Sequence, residues 1–153
     1  MYCIGNMKTK AKKSKSKFTK VVINSCYGGF SLSHKAIKLL AEKQGKACYF
    51  FKSNLNGENK YELINGIPHP TEWFVHAFSV NDPSEIDFEK NHLESRPKDR
   101  ADPLLVEVVE ELGTEADGPH AELKIVNVPS DIKWSIQEYD GAEWVAEEHR
   151  TWS

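Results

Sequence analysis

The chain has no long hydrophobic run. Its apolar stretches, Ala47–Phe51 among them, reach only a few residues, against the ~20 needed to cross a bilayer. No membrane association is expected from them. Cysteine is scarce: Cys3, Cys26 and Cys48 are odd in number and far apart, so no disulfide framework is expected and a reducing cytoplasm is the natural setting. The N-terminus lacks the apolar core of a secretory signal. Also missing are the phosphate loop ending in GK[ST], the dinucleotide G-x-G-x-x-G, and HExxH, CxxC, GxSxG and the deaminase H-x-E pattern. The common catalytic signatures are therefore excluded. His69, His76, His92 and His120 lie in separate segments without metal-ligand spacing, so no residue is assigned to a metal and no cofactor is specified.

Acid is absent from the first 20 residues, whereas seven lysines crowd residues 8–20. Beyond Lys20, 13 basic residues face 23 acidic ones, so the remainder carries −10 within an overall −3. Residues 1–18 read as a basic disordered tail, because a like-charged, apolar-poor run stays solvated, and residues 19–153 as a single domain. Phosphate contacts would fall to the tail, but the acidic body argues against nucleic-acid binding.

What is present is a pattern of strands and helices. Thr19–Cys26 is β-branched and apolar at Val21, Val22 and Ile23, the signature of a buried strand. Helix capping falls to Ser31 or Ser33; the latter sets Leu32 against Ile37 as a hydrophobic staple, and Gly45 ends the helix. Ala47–Lys52 and Lys60–Ile64 form a hairpin across an Asn- and Gly-rich turn. Thr71–Val80 fits a strand or a short helix. Asn81–Arg100 reads as a long polar surface loop. Asp102 caps a second helix with Pro103 at its first position and Gly113 after its end. Ala121–Val128 is a strand, and Ile132–Tyr139, Asp140-Gly141 and Ala142–Trp152 make a terminal hairpin. This order predicts an α+β fold: a two-layer sandwich with two helices on one face of a mostly antiparallel sheet.

Two regions attract functional interest. The strand-to-helix junction carries Cys26, Tyr27, Gly28, Gly29, Ser31 and Ser33, and backbone N–H groups near a helix start suit an anion; the other reading is an ordinary turn. Cys26 beside a helix start could act as a nucleophile with His34, or be a small buried hydrophobe. A cysteine-phosphatase loop would need arginine where Leu32 stands. In the terminal hairpin, a two-residue turn sets Glu138 opposite Glu143, Ile136 opposite Val145 and Trp134 opposite Glu147. Facing carboxylates are unfavourable unless solvated or bridged by a cation. Glu138, Glu143, Glu147 and His149 could bind a metal or a basic partner, Arg150 could grip a carboxylate or phosphate, and Tyr139, Trp144 and Trp152 add aromatic surface. The opposing reading is an acidic ribbon that discourages edge pairing.

The segments Cys26–Ser33 (CYGGFSLS), Asp102–Gly113 (DPLLVEVVEELG) and Tyr139–Trp152 (YDGAEWVAEEHRTW) together resemble a group of small proteins often encoded by tailed bacteriophages. That resemblance spans residues 20–152 and implies a cytoplasmic accessory protein acting on the host; it brings no catalytic residue. The expectation is a protein binding a small anionic ligand or nucleotide through Tyr27, Gly28, Gly29, Ser31, Tyr139, Glu143, Trp144 and Arg150. The alternative is a protein-interaction module whose acidic, aromatic hairpin docks on a basic host partner. An enzyme using Cys26 or a hairpin metal stands third.

Overall fold

The computed structural model describes residues 17–54 and 60–148. The fold is α+β with antiparallel pairing throughout. The strands divide into three sheets instead of forming one. Strand β1 (Phe18–Asn24) pairs with β6 (Leu123–Pro129). A four-stranded sheet runs in the order β3-β2-β4-β5, comprising β3 (Tyr61–Ile64), β2 (Tyr49–Ser53), β4 (Val75–Phe78) and β5 (His92–Leu93). The third sheet is the ribbon of β7 (Trp134–Tyr139) and β8 (Ala142–Glu147). Strand β1 begins at Phe18, the last residue assigned to the basic tail, and the Lys17 carbonyl already accepts from Ser130 N.

Both long helices follow their sequence signals. Helix α1 (His34–Lys43) starts at Ser33, whose hydroxyl accepts from Ala36 N at 3.1 Å, and Gly45 beyond it takes φ +74°. Leu32 and Ile37 are both buried, as a staple requires. Helix α3 (Pro103–Leu112) is capped by Asp102, which accepts from Leu104 N. Its buried face is Leu105, Val106, Val108 and Val109. Each such side chain contributes roughly 1.5–3 kcal/mol on burial. The glutamates off that face meet lysines: Lys20 reaches Glu110 at 3.0 Å, and Lys43 reaches Glu111 at 2.7 Å.

The core has two parts. The larger gathers Phe30, Leu32, Ala36, Ile37 and Leu40 with Phe50, Ala77 and the α3 face, so α1 and α3 cover β2, β4 and β1. The smaller joins Val21, Ile23 and Val128 to Trp134, Ile136 and Val145, fastening the ribbon to the β1–β6 pair.

Two expectations change. Within Thr71–Val80 a strand forms at Val75–Phe78, which pairs with β2 on one side and β5 on the other. Asn81–Arg100 is not a structureless loop. It holds a 3-10 turn at Pro83–Glu85, a one-turn helix α2 (Phe88–Asn91) and β5. Asp82 and Asp87 cap these turns by accepting from Ser84 N and Glu89 N. Capping carboxylates organise short turns that hydrophobic periodicity does not reveal. Among the described residues no helix is long and apolar enough to cross a membrane.

Candidate functional site

The two regions singled out in the sequence do meet. The ribbon turn Asp140-Gly141 has φ +51° and +91°, the left-handed pair that a two-residue hairpin turn needs. It sits on the Tyr27–Gly29 backbone so closely that a Cβ on Gly141 would lie 2.5 Å from Tyr27 O and 2.6 Å from Gly29 N. Gly28 is equally constrained, because a Cβ there would run into the His120 carbonyl. The contact is one of packed backbone, with the junction's glycines serving close approach.

Asn24, fully buried, organises this contact. Its Nδ2 donates to Cys26 O at 2.7 Å and Gly141 O at 2.8 Å, while its Oδ1 accepts from Glu122 N at 2.8 Å. Its own N–H donates to Glu143 Oε1 at 2.8 Å, which also accepts from Arg100 Nη1 at 2.8 Å. The Arg100 guanidinium lies 3.6 Å from the Phe30 ring centroid, its Nε donates to Pro97 O, and its carbonyl accepts from Val22 N. The Glu138–Glu143 apposition is observed in the expected register. It is relieved because Arg100 supplies a cation to Glu143, while Glu138 accepts from Gly141 N. Side-chain exposures of 14% for Arg100 and 9% for Glu143 make this a buried ion pair.

The other named residues fall as follows. Helix α1 starts at His34, after the buried Phe30 and Leu32, so the glycines lie outside its first turn. Ser31 Oγ donates to Pro119 O, and Ser33 Oγ to Glu115 O. Cys26 Sγ donates to His120 O at 3.0 Å, and His34 is turned elsewhere, with Nδ1 3.4 Å from Pro68 O. Tyr27 and Tyr139 are exposed. Trp144 and Glu143 border a 510 Å³ depression between the ribbon and the β1–β6 pair, floored by Ile23, Val126 and Val145. His149, Arg150 and Trp152 lie outside the described residues. Among the described residues no group of three or more His, Cys, Asp or Glu side chains could hold a metal.

A second concavity carries more chemistry. A 390 Å³ cleft opens between the first half of α1, the approach to β4 and the α2–β5 segment. Strand β5 pairs only with Ala77 and Phe78, so the Trp73–His76 part of the β4 edge borders this cleft. His34, His76 and His92 all line it. The His76 and His92 ring centroids are 6.2 Å apart, and Phe88 stacks on His92 at 4.2 Å. Burial lowers the pKa of each imidazole below its ordinary value. For His34 the Pro68 carbonyl and Glu72 oppose that effect; His76 adds to it at His92, where Glu94 opposes. At neutral pH the three rings are thus mainly uncharged. Trp73 (71% exposed), Phe74 (62%) and Phe88 (52%) hold apolar rings in solvent around the opening. Phe74 takes φ +60°, a conformation that costs a bulky residue about 1–3 kcal/mol, and its carbonyl is held by Ser53 N.

Among the described residues of the expected ligand-binding set, Ser31 is the one that lines this cleft. The histidines belong to three segments: strand pairing sets His92 beside His76, His34 packs on Phe50 from α1, and no one segment carries a signature of this. The available signal was the run Trp73-Phe74-Val75-His76, too apolar for a surface stretch. Cys48, free and half-buried, has its thiol pushed up to about 11 by burial and is not activated. The chain matches no protein-family model, no curated protein and no solved structure.

Proposed function

We propose that this protein is a binding protein for a small ring-bearing ligand, held in the cleft between α1 and the β4 edge. The supporting observation is the combination there of three half-buried, mainly neutral imidazoles with the exposed rings of Trp73, Phe74 and Phe88 around a 390 Å³ opening. Clefts walled by aromatic rings with a few convergent polar groups are the usual form of a small-molecule site. Perturbed titrating groups concentrate at such sites. A ligand ring stacks on Trp73 or Phe88, and imidazole N–H groups and nitrogen lone pairs orient its polar substituents. This reading keeps small-ligand binding and moves its location from the glycine junction to the cleft. An accessory role of the kind implied by the resemblance to phage-encoded proteins is compatible with it.

The rival reading, a ribbon docking on a basic partner, draws support from the exposed Tyr139 and Trp144. It is weakened because Glu143, the carboxylate at the ribbon's centre, is engaged by Arg100 and Asn24 N. The test is a thermal-shift screen of small aromatic compounds, neutral and anionic. A ligand at 100 times its Kd stabilises by about 2.7 kcal/mol, or roughly 5–11 °C for a domain of this size. The shift should disappear in Trp73→Ala and persist in Trp144→Ala. The opposite dependence would move the site to the ribbon.

A further inference from the structure

Building on that binding reading, we propose that the ligand carries one anionic group beside its ring, and that the His76–His92 pair takes up a proton when it binds. The pairing of two imidazoles, 6.2 Å between centroids, at the wall of the cleft leads there. Among the described residues lining it, Glu72 is the one carboxylate, and there is neither lysine nor arginine. The imidazoles are the groups at hand that can become cationic. His76 and His92 lie side by side within a nest of rings, with Tyr61 and Phe78 also against His76.

The α2 segment, packed on both rings through Phe88, carries Glu89 and Lys90 with Asp87 as its cap. Glu94 follows β5 and favours the protonated His92. Lys46 and Lys98 line the adjoining 390 Å³ cavity that shares His92. Glu72 acts on His34 at the other end of the cleft. Before binding, His76 and His92 are mainly neutral, because burial lowers both and His76 lowers His92 further against Glu94. An anion seated between them reverses that balance, since an opposite charge within ~4–6 Å favours the charged form. Binding and proton uptake are then one linked event. The proton comes from solvent and rests on an imidazole nitrogen, with no covalent bond made or broken.

Two probes separate this proposal from the reading beneath it: naphthalene-1-sulfonate, whose charge is fixed across the working range, and neutral 1-naphthalenemethanol. Calorimetry at pH 5.5–8, in buffers of different ionisation heat, gives affinity and proton uptake together. The sulfonate should bind more tightly as pH falls, approaching tenfold per pH unit where uptake nears one proton, while the neutral probe gains nothing. In the wild-type protein, NMR titration should show the His76 and His92 pKa values rising when the sulfonate is bound. Uptake should be lost in His92→Gln, and the wild-type titration decides the matter even where that variant folds poorly. Sulfonate binding that is independent of pH, with no proton taken up, overturns the proposal and leaves the cleft reading standing. Absence of binding by both probes at every pH overturns the cleft reading itself.

Discussion

Replacing Glu143 by alanine should be among the most damaging single changes in this protein. Its carboxylate is 9% exposed, accepts from Arg100 Nη1 and from Asn24 N at 2.8 Å each, and faces a guanidinium that is itself 14% exposed. Removal leaves a buried cation with Pro97 O and the Phe30 face as its remaining partners. It also strips the acceptor from a fully buried residue's N–H. Breaking a buried pair from one side costs about 3–5 kcal/mol, a large part of the ~5–15 kcal/mol that holds a domain folded. At ~2–4 °C per kcal/mol the melting temperature should drop by roughly 6–20 °C. Glu143→Gln keeps an acceptor for Asn24 N and should cost less, about 1–3 kcal/mol. Urea unfolding followed by tryptophan fluorescence measures all of this. Glu138→Gln is the control, because that exposed side chain accepts only from the turn's Gly141 N among the bonds described; it should stay within ~0.5 kcal/mol. The double variant Arg100→Met/Glu143→Leu should lose less than the two single losses combined, since an apolar pair leaves no stranded charge. If Glu143→Ala lay within ~1 kcal/mol of wild type, the ribbon would not be held as described.

Three further outcomes follow from the same structure. Asn24→Ala strands Glu122 N, Cys26 O and Gly141 O, and should cost at least ~3 kcal/mol, with faster amide exchange at Glu122 read by NMR. Gly28→Ala should destabilise by ~2 kcal/mol or more in urea unfolding, because the His120 carbonyl occupies the Cβ position and backbone must shift. Stability should also fall on mild acidification. Burial holds His34, His76 and His92 below their unfolded value of about 6.5, so the unfolded chain binds more protons in that window. The contribution is fully present above ~6.5 and is lost as pH falls toward the lowered folded values. Urea midpoints from pH 7.5 to 5 should decline, and His76→Phe should flatten the decline.

Much of the scaffold was legible because local rules and tertiary structure agree. Asp140-Gly141 fixed the ribbon register, and Asp102, Pro103 and Gly113 bounded α3. Ser33 with the Leu32–Ile37 staple set the start of α1. The Glu138–Glu143 apposition required solvent or a cation; Glu138 is exposed, and Glu143 meets Arg100, which lies 43 residues away where no local pattern names it. The segment Asn81–Arg100 was opaque for a related reason: its turns rest on aspartate caps and a two-residue strand, neither of which has a hydrophobic period. The junction and the ribbon, expected to share one ligand site, meet as packed backbone, Gly141 on Tyr27 and Gly29. The cleft escaped because its histidines gather only once β5 pairs with β4 and α1 covers the sheet.

The most direct measurement is amide chemical-shift mapping by NMR as naphthalene-1-sulfonate is added at pH 6. Binding as proposed should concentrate the shifts in residues 31–37, 72–77 and 88–95, around His34, Trp73, His76 and His92. Shifts confined to residues 124–128 and 143–147, at the ribbon depression bordered by Trp144, would contradict it.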